Sequence, residues 1–183
     1  MPPPTGVAMT QSAVEIPPFA AIFREHAPFA WRVLRRLGVR ESDVEDAAQE
    51  VFLVVHRRLR DFEGRSSLRT WIYGICVRVA SDHRRRAHVR REQPTDRPPE
   101  RAGSAPQPRE LEARQARALL DAALSRLDDD KRAVLVLFEI EEVAMKDVAE
   151  AVGCPLQTAY SRLYAARREL REALGELSEG GAS

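Results

Sequence analysis

Between a basic run that ends at Arg91 and a new apolar pattern that starts near Glu110 stands EQPTDRPPERAGSAPQPR, and it limits what this chain can fold into more than any other stretch. Each proline removes a backbone donor and biases the residue before it toward extended conformations, so no helix or strand ladder can run through. The stretch is too long and too polar to be a compact turn. It therefore reads as a linker, placed at 93–109, between a domain at 18–92 and a second at 110–176. Residues 1–17, Pro-rich and without periodicity, and 177–183 are expected to be disordered tails.

Both halves carry a helical pattern. Hydrophobic residues make up 44% of the chain and aromatics only 6%, a composition that favours helix over sheet. Phe19, Phe23, Ala27, Ala30, Trp31, Leu34 and Leu37 recur at steps of three and four, the period of a helix face. They outline a first helix from about Pro18 to Leu37, with Pro28 a point where it could kink or split. Ser42 and Glu45 form an S-x-x-E capping box for a second helix. Its buried stripe is Val44, Ala48, Val51, Val55, Leu59 and Phe62. After a turn capped by Ser66 or Ser67, Leu68, Ile72, Ile75 and Val79 carry a third helix to about Arg86. The expected fold class is all-α: two small helical domains joined by a flexible linker, the C-terminal one a helix-turn-helix.

The net charge of +1 conceals an uneven distribution. Opposite the stripe of the second helix, Asp46, Gln49, Glu50, Leu53 and Arg57 form a line. A single exposed leucine is ordinary. A leucine set among acids and an amide fits a docking face for another protein's helix, the charges setting on-rate and partner choice. From Arg57 to Arg91 eleven arginines stand against Asp61, Glu63 and Asp82, which suits a polyanion. Trp71, Arg78 and Arg85 line one flank of the third helix, and Arg69, Tyr73, Ala80 and Arg84 the other. Between them Gly74, Val77 and Ser81 are small enough to let a backbone approach. Rings interleaved with guanidinium groups suit single-stranded nucleic acid, where stacking contributes roughly 1–3 kcal/mol per base and arginine neutralises phosphate. A core position for Trp71 is the competing reading.

In the second domain Leu111, Ala116, Leu120, Ala123, Leu124 and Leu127 mark one helix, and Asp128–Asp130 break it and favour the start of the next. That helix, from Lys131 to about Glu141, has Val134, Leu135, Leu137 and Phe138 as its core set. AMKDVAEAVGCPLQTAYSRLYAARREL then reads as a helix-turn-helix: a first helix at Met145–Val152, Gly153 for the tight turn, and Pro155 at the start of the second helix. Leu156, Ala159, Leu163, Ala166 and Leu170 form the seam, while Gln157, Thr158, Ser161, Arg162, Ala165 and Arg168 project away with groups suited to base edges and phosphates.

Cys76 and Cys154 have no ligand-like spacing, and His26, His56, His83 and His88 have no paired carboxylates around them in sequence. No catalytic residue, metal site or cofactor is expected, and the chain is not read as an enzyme. The N-terminus lacks the layout of a signal peptide and no apolar run is long enough to span a bilayer, so a cytoplasmic protein without membrane insertion is expected.

Taken in order, EDAAQEVF, FEGRSSLRTWIYGI, DHRRR, a linker and a helix-turn-helix ending in YSRLYAARREL closely resemble the bacterial sigma-70 family of RNA polymerase sigma factors, in its extracytoplasmic-function (ECF) group. The resemblance covers about Phe19–Arg91 and Glu110–Leu174. It implies a subunit that binds core RNA polymerase and directs promoter-specific initiation. Asp46, Gln49, Glu50, Phe52 and Leu53 would belong to the surface for the β′ clamp helices, with the β flap as a further contact. Arg65, Ser66, Arg69, Thr70, Trp71, Arg78, Arg84 and Arg85 would read and hold the melted minus-ten element. Gln157, Thr158, Tyr160, Ser161, Arg162 and Arg168 would read the minus-thirty-five duplex. An anti-sigma factor is a further implied partner. Three positions depart from the family's pattern: Val77-Arg78 stands for an Arg-Asn pair, Tyr160 for a Lys or Arg, and Ala144 for a capping Ser or Thr. The alternative is a helix-turn-helix regulator that acts without docking on polymerase.

Overall fold

The computed structural model describes residues 16–91 and 108–180; the expected N-terminal tail up to residue 15 and the linker up to residue 107 lie outside the described residues. Among the described residues there are seven α-helices: α1 (Phe19–Arg36), α2 (Val44–Arg58), α3 (Leu68–Arg91), α4 (Pro108–Ser125), α5 (Asp129–Leu135), α6 (Met145–Val152) and α7 (Leu156–Gly180). Short 3-10 turns, Glu41–Asp43 and Leu59–Asp61, bracket α2, and a π-helical segment, Val136–Ile140, continues α5. The all-α class holds, and two boundaries move. Helix α4 already starts at Pro108, where a proline costs no intrahelical bond, and α7 continues to Gly180 instead of ending at 176.

In the N-terminal half α1, α2 and α3 all pack on one another. Val33, Leu34, Val44, Ala47, Val51, Val55 and Ile72 are fully enclosed between them. Pro28 does not break α1, which runs through it with that residue on the exposed face. Phe23 and Trp31, counted in the apolar pattern of α1, are exposed. The capping box expected at Ser42 does not form: its hydroxyl donates to the Asp43 carboxylate at 3.0 Å, and the α-helix starts later, at Val44. Ser67 does cap α3, accepting the Thr70 N–H at 3.0 Å.

In the C-terminal half Asp128 caps α5 by accepting the Lys131 N–H at 2.8 Å. The helix-turn-helix lies where the sequence placed it. Gly153 takes φ 68°, a left-handed conformation open to glycine at little cost, and the Cys154 N–H closes the turn onto the Ala149 carbonyl at 3.0 Å. Ala159, Leu163 and Ala166 form the buried seam of α7, but Leu156, in its first turn, is 47% exposed.

The two halves do not keep separate cores. One continuous cluster of buried side chains runs from Ile22 to Ala166, with α3 packed against α6. At the crossing, a Cβ added to Gly74 would lie 2.9 Å from the Ala151 carbonyl oxygen. The small residues of α3 do admit a close backbone, and it is that of the chain's own α6.

Candidate functional site

The first candidate surface is the outer face of α2. Asp46, Gln49 and Leu53 are exposed, Leu53 by 55%, as the line predicted from helical spacing requires. Beside them runs a shallow groove of about 440 Å³ lined by Phe19, Phe23, Gln49, Phe52, Leu53 and His56. Its walls are built by aromatic contacts between α1 and α2: Phe23 meets Phe52 edge-on at 4.8 Å, and Phe19 meets His56 at 4.9 Å. Phe52, expected on the surface, is only 4% exposed and forms the floor. Sequence reasoning missed Phe19 and Phe23 as groove residues because their spacing matches a core stripe; the signal available was that Phe23 adds a second aromatic face to an already filled α1 seam.

Glu50 turns from this line toward α3, bonding His83 Nε2 at 2.7 Å and Arg86 at 3.3 Å. Desolvation works to raise its carboxyl, but the bonds from His83 and Arg86 outweigh it and hold the group below its ordinary value. Glu50 therefore joins α2 to the basic helix α3.

The second surface is α3 and the turn before it. Arg65, Arg78 and Arg85 are exposed, with Arg65 paired to Glu63 and Arg85 to Asp82 at 2.5 Å. Ser66 is half-buried. Trp71 is neither wholly core nor free: it is half-buried and its ring lies 5.4 Å from that of Phe62. Thr70 corrects the expectation of a DNA-facing hydroxyl, since it is buried and its oxygen lies 2.8 Å from that of the capping Ser67. The other flank of α3 faces the C-terminal half. Tyr73, Cys76 and Ala80 are buried, Arg69 is drawn to Glu141, and Arg84 pairs with Asp129. Burial is the main force that pushes the Tyr73 phenol well above its ordinary value, with Cys76 and Glu141 adding to it. It stays a donor, to the Ala133 carbonyl at 2.5 Å.

Two charged residues of the C-terminal half, absent from every sequence-derived set, organise the seam. Arg132 is buried and donates to the carbonyls of Leu124 at 2.6 Å, Leu127 at 2.9 Å and Leu37 at 3.0 Å. Those oxygens belong to the ends of α4 and α1, where helices leave carbonyls without partners. Glu141 has a side chain only 3% exposed and binds Arg36 at 2.7 Å, Arg69 at 2.6 Å and Arg32 at 3.5 Å. Arg69 in turn lies over the Phe29 ring, 4.5 Å from its centroid. The π segment aims this carboxylate: the Glu141 N–H closes onto Val136 at 3.0 Å, and Glu142 follows with φ 55°. An acidic turn after an apolar run looks like an ordinary helix end, so no local signal distinguished Glu141.

The third surface is the outer face of α7. Gln157, Tyr160, Ser161 and Arg168 are exposed, and Thr158 and Arg162 half-buried. The Ser161 hydroxyl donates to the Gln157 carbonyl at 3.0 Å, and Arg162 pairs with Asp130 within the same half. Gln157, Ser161 and Arg168 lie opposite the buried seam of α7, with Tyr160 on one flank and Thr158 and Arg162 on the other.

Comparisons with known proteins agree with this arrangement. Residues 22–90 match the family described as Sigma-70 region 2, and residues 117–170 match Sigma-70, region 4. The ECF RNA polymerase sigma factor SigE of Mycolicibacterium smegmatis is 30% identical, over 96% of this chain and 70% of its own length. The ECF RNA polymerase sigma factor SigC of Mycobacterium tuberculosis is 34% identical, over 76% of this chain and 74% of its own. In fold, the chain is similar to the sigma factor RpoE of Bartonella quintana, solved with the anti-sigma factor NepR. That match has a TM-score of 0.64 and 21% identity, covering 86% of this chain and 96% of the other. An exposed line of acid, amide and leucine, an arginine-rich helix after a capped turn, and a helix-turn-helix thus occur in the order of two matched regions of one family: the chain belongs to the extracytoplasmic-function group of the sigma-70 family of RNA polymerase sigma factors.

Proposed function

We propose that the chain binds core RNA polymerase through the exposed line on α2 and brings it to promoters, with α3 holding melted minus-ten DNA and α7 reading the minus-thirty-five duplex. The observation that carries this reading is the position of Asp46, Gln49 and Leu53, exposed beside the aromatic groove on the helix that Glu50 ties to arginine-rich α3. A regulator that bound duplex DNA alone has no use for such a face. The aromatic groove extends the docking surface to Phe19 and Phe23, whose apolar edges suit the side of an amphipathic helix such as the β′ clamp presents. On α3, Arg65, Arg78 and Arg85 with the half-open Trp71 supply phosphate contacts and a stacking face. On α7, Gln157, Tyr160, Ser161 and Arg168 offer amide, phenol, hydroxyl and guanidinium groups to a major groove.

The protein's part in initiation is binding and strand separation, and polymerase supplies the catalysis. Its place of action is the cytoplasm, where polymerase works; no helix among the described residues is long and apolar enough to cross a membrane. An anti-sigma factor is a fitting regulator, because the groove and the α3 face are both surfaces that an inhibitor can cover. The test is transcription in vitro with purified core polymerase on genomic fragments. Addition of this protein is expected to produce discrete promoter-dependent transcripts, and their absence, with the protein bound to duplex DNA alone, would establish the regulator instead.

A further inference from the structure

We propose that the acidic turn after α5 is an intramolecular latch: Glu141, seated among Arg32, Arg36 and Arg69, closes the C-terminal domain over α3 and masks part of the face that takes promoter DNA. The claim rests on the reading of Arg69 and Arg84 as DNA contacts.

Four independent contacts join the halves at this place. Glu141 enters the arginine cage from one side, and Arg84 meets Asp129 on the other. Between them the Tyr73 hydroxyl donates to Ala133, and Arg132 reaches across to the Leu37 carbonyl. A buried carboxylate is stable only while its partners stay in place, because removing one partner leaves a charge without solvent. The turn that delivers Glu141 carries a π segment and a left-handed non-glycine residue, Glu142, both uncommon conformations that cluster at functional places.

The three arginines keep 50%, 27% and 45% of their side-chain surface, for Arg32, Arg36 and Arg69 in turn, so the cage is open to salt and to competing phosphate from outside. The contacts also fall unevenly over the candidate surfaces. Arg69 and Arg84 are held in ion pairs to the other half and Tyr73 is buried, whereas Arg78 and Arg85 on the other flank and Gln157, Ser161 and Arg168 on α7 are exposed and, among the described residues, make no ion pair with the other half. The closed molecule thus presents its duplex-reading side and withholds half of its strand-holding side. Phosphates that capture Arg69 take away a partner of Glu141, so DNA binding and opening favour each other.

The experiment uses the full chain with spin labels at Glu45→Cys and Glu172→Cys in a Cys154→Ser background, read by pulsed electron resonance. The latched protein should give one narrow distance population at low salt. Glu141→Gln, which keeps shape and drops charge, should broaden and lengthen it. In parallel, affinity for a short fluorescent oligothymidylate should rise by about tenfold in that variant. Arg36→Gln breaks the cage from α1 without touching an assigned DNA contact, and decides the matter if Glu141→Gln loses helical circular dichroism. Unchanged distances in the folded variants would overturn the latch. Opening with no gain in affinity would overturn the masking, and the transcription assay tests the promoter reading separately from either result.

Discussion

Arg132 is buried with no carboxylate among the described residues bonded to it, and three main-chain carbonyls accept its donors. A guanidinium tolerates this because its charge is delocalised, it is weakly hydrated, and its donors fan out in one plane. Burial is the main cause that lowers its proton affinity, to about 10, and Arg84 adds to the shift while Asp129 and Asp128 oppose it. It therefore remains charged at neutral pH and serves the ends of two helices at once. Arg132→Met should cost about 3 kcal/mol in urea unfolding, since it leaves enclosed carbonyls unbonded. Arg132→Lys should recover little of that loss, because a single ammonium cannot reach oxygens in three directions. Neighbouring residues on α2 separate stability from binding in a similar way. Phe52 is 4% exposed and Leu53 is 55% exposed. Phe52→Ala should destabilise the fold by about 3–5 kcal/mol. Leu53→Ala should leave the unfolding midpoint nearly unchanged and weaken binding to core polymerase, as titration with labelled core would show; equal effects of the two on stability would remove Leu53 from the docking face.

Among the elements, α5 depends on a cap whose charge matters. Desolvation acts to raise the Asp128 carboxyl, but the bonds from the Lys131 side chain and N–H outweigh it, and the group ends below its ordinary 3.8. A lowered acid stabilises the fold at pH values above that ordinary value and loses its contribution as pH falls through the lower folded value. Asp128→Asn still accepts the N–H bond, so at neutral pH it should be a mild change. Its unfolding free energy between neutral pH and about pH 3 should then fall less steeply than that of the parent chain. Elements such as α6 were legible in advance because their limits are local: Gly153 and Pro155 mark the turn whatever surrounds it. The stripe of α2 was legible for the same reason, as its period alone separates the buried Val44, Val51 and Val55 from the exposed Asp46 and Leu53. Glu141 and Tyr73 were not. Their burial is imposed by helices from the other half of the chain, and periodicity within one helix carries no record of that. The capping box at Ser42 failed for a nearer reason, since Asp43 lies within reach of the same hydroxyl.

At the scale of the whole molecule, a polar linker led to the expectation of two helical domains, and one apolar cluster extends through both. The arginine excess of the first half is partly answered by carboxylates of the second, Glu141 and Asp129, so opposite charges meet between the halves. The crossing of α3 and α6 has a further consequence that involves no charge. The Ala151 carbonyl oxygen stands 2.9 Å from where the first side-chain carbon at position 74 would lie, and a main-chain atom cannot swing aside as a side-chain tip can. Alanine is the better helix former by about 1 kcal/mol, so Gly74→Ala should strengthen α3 taken alone. In the assembled chain the same methyl acts as a spacer. Small-angle scattering should then show a larger radius at every salt concentration, with helix content undiminished. Contact between the halves has a size limit of less than one carbon atom at residue 74, and any lineage that keeps them able to meet must keep that position bare.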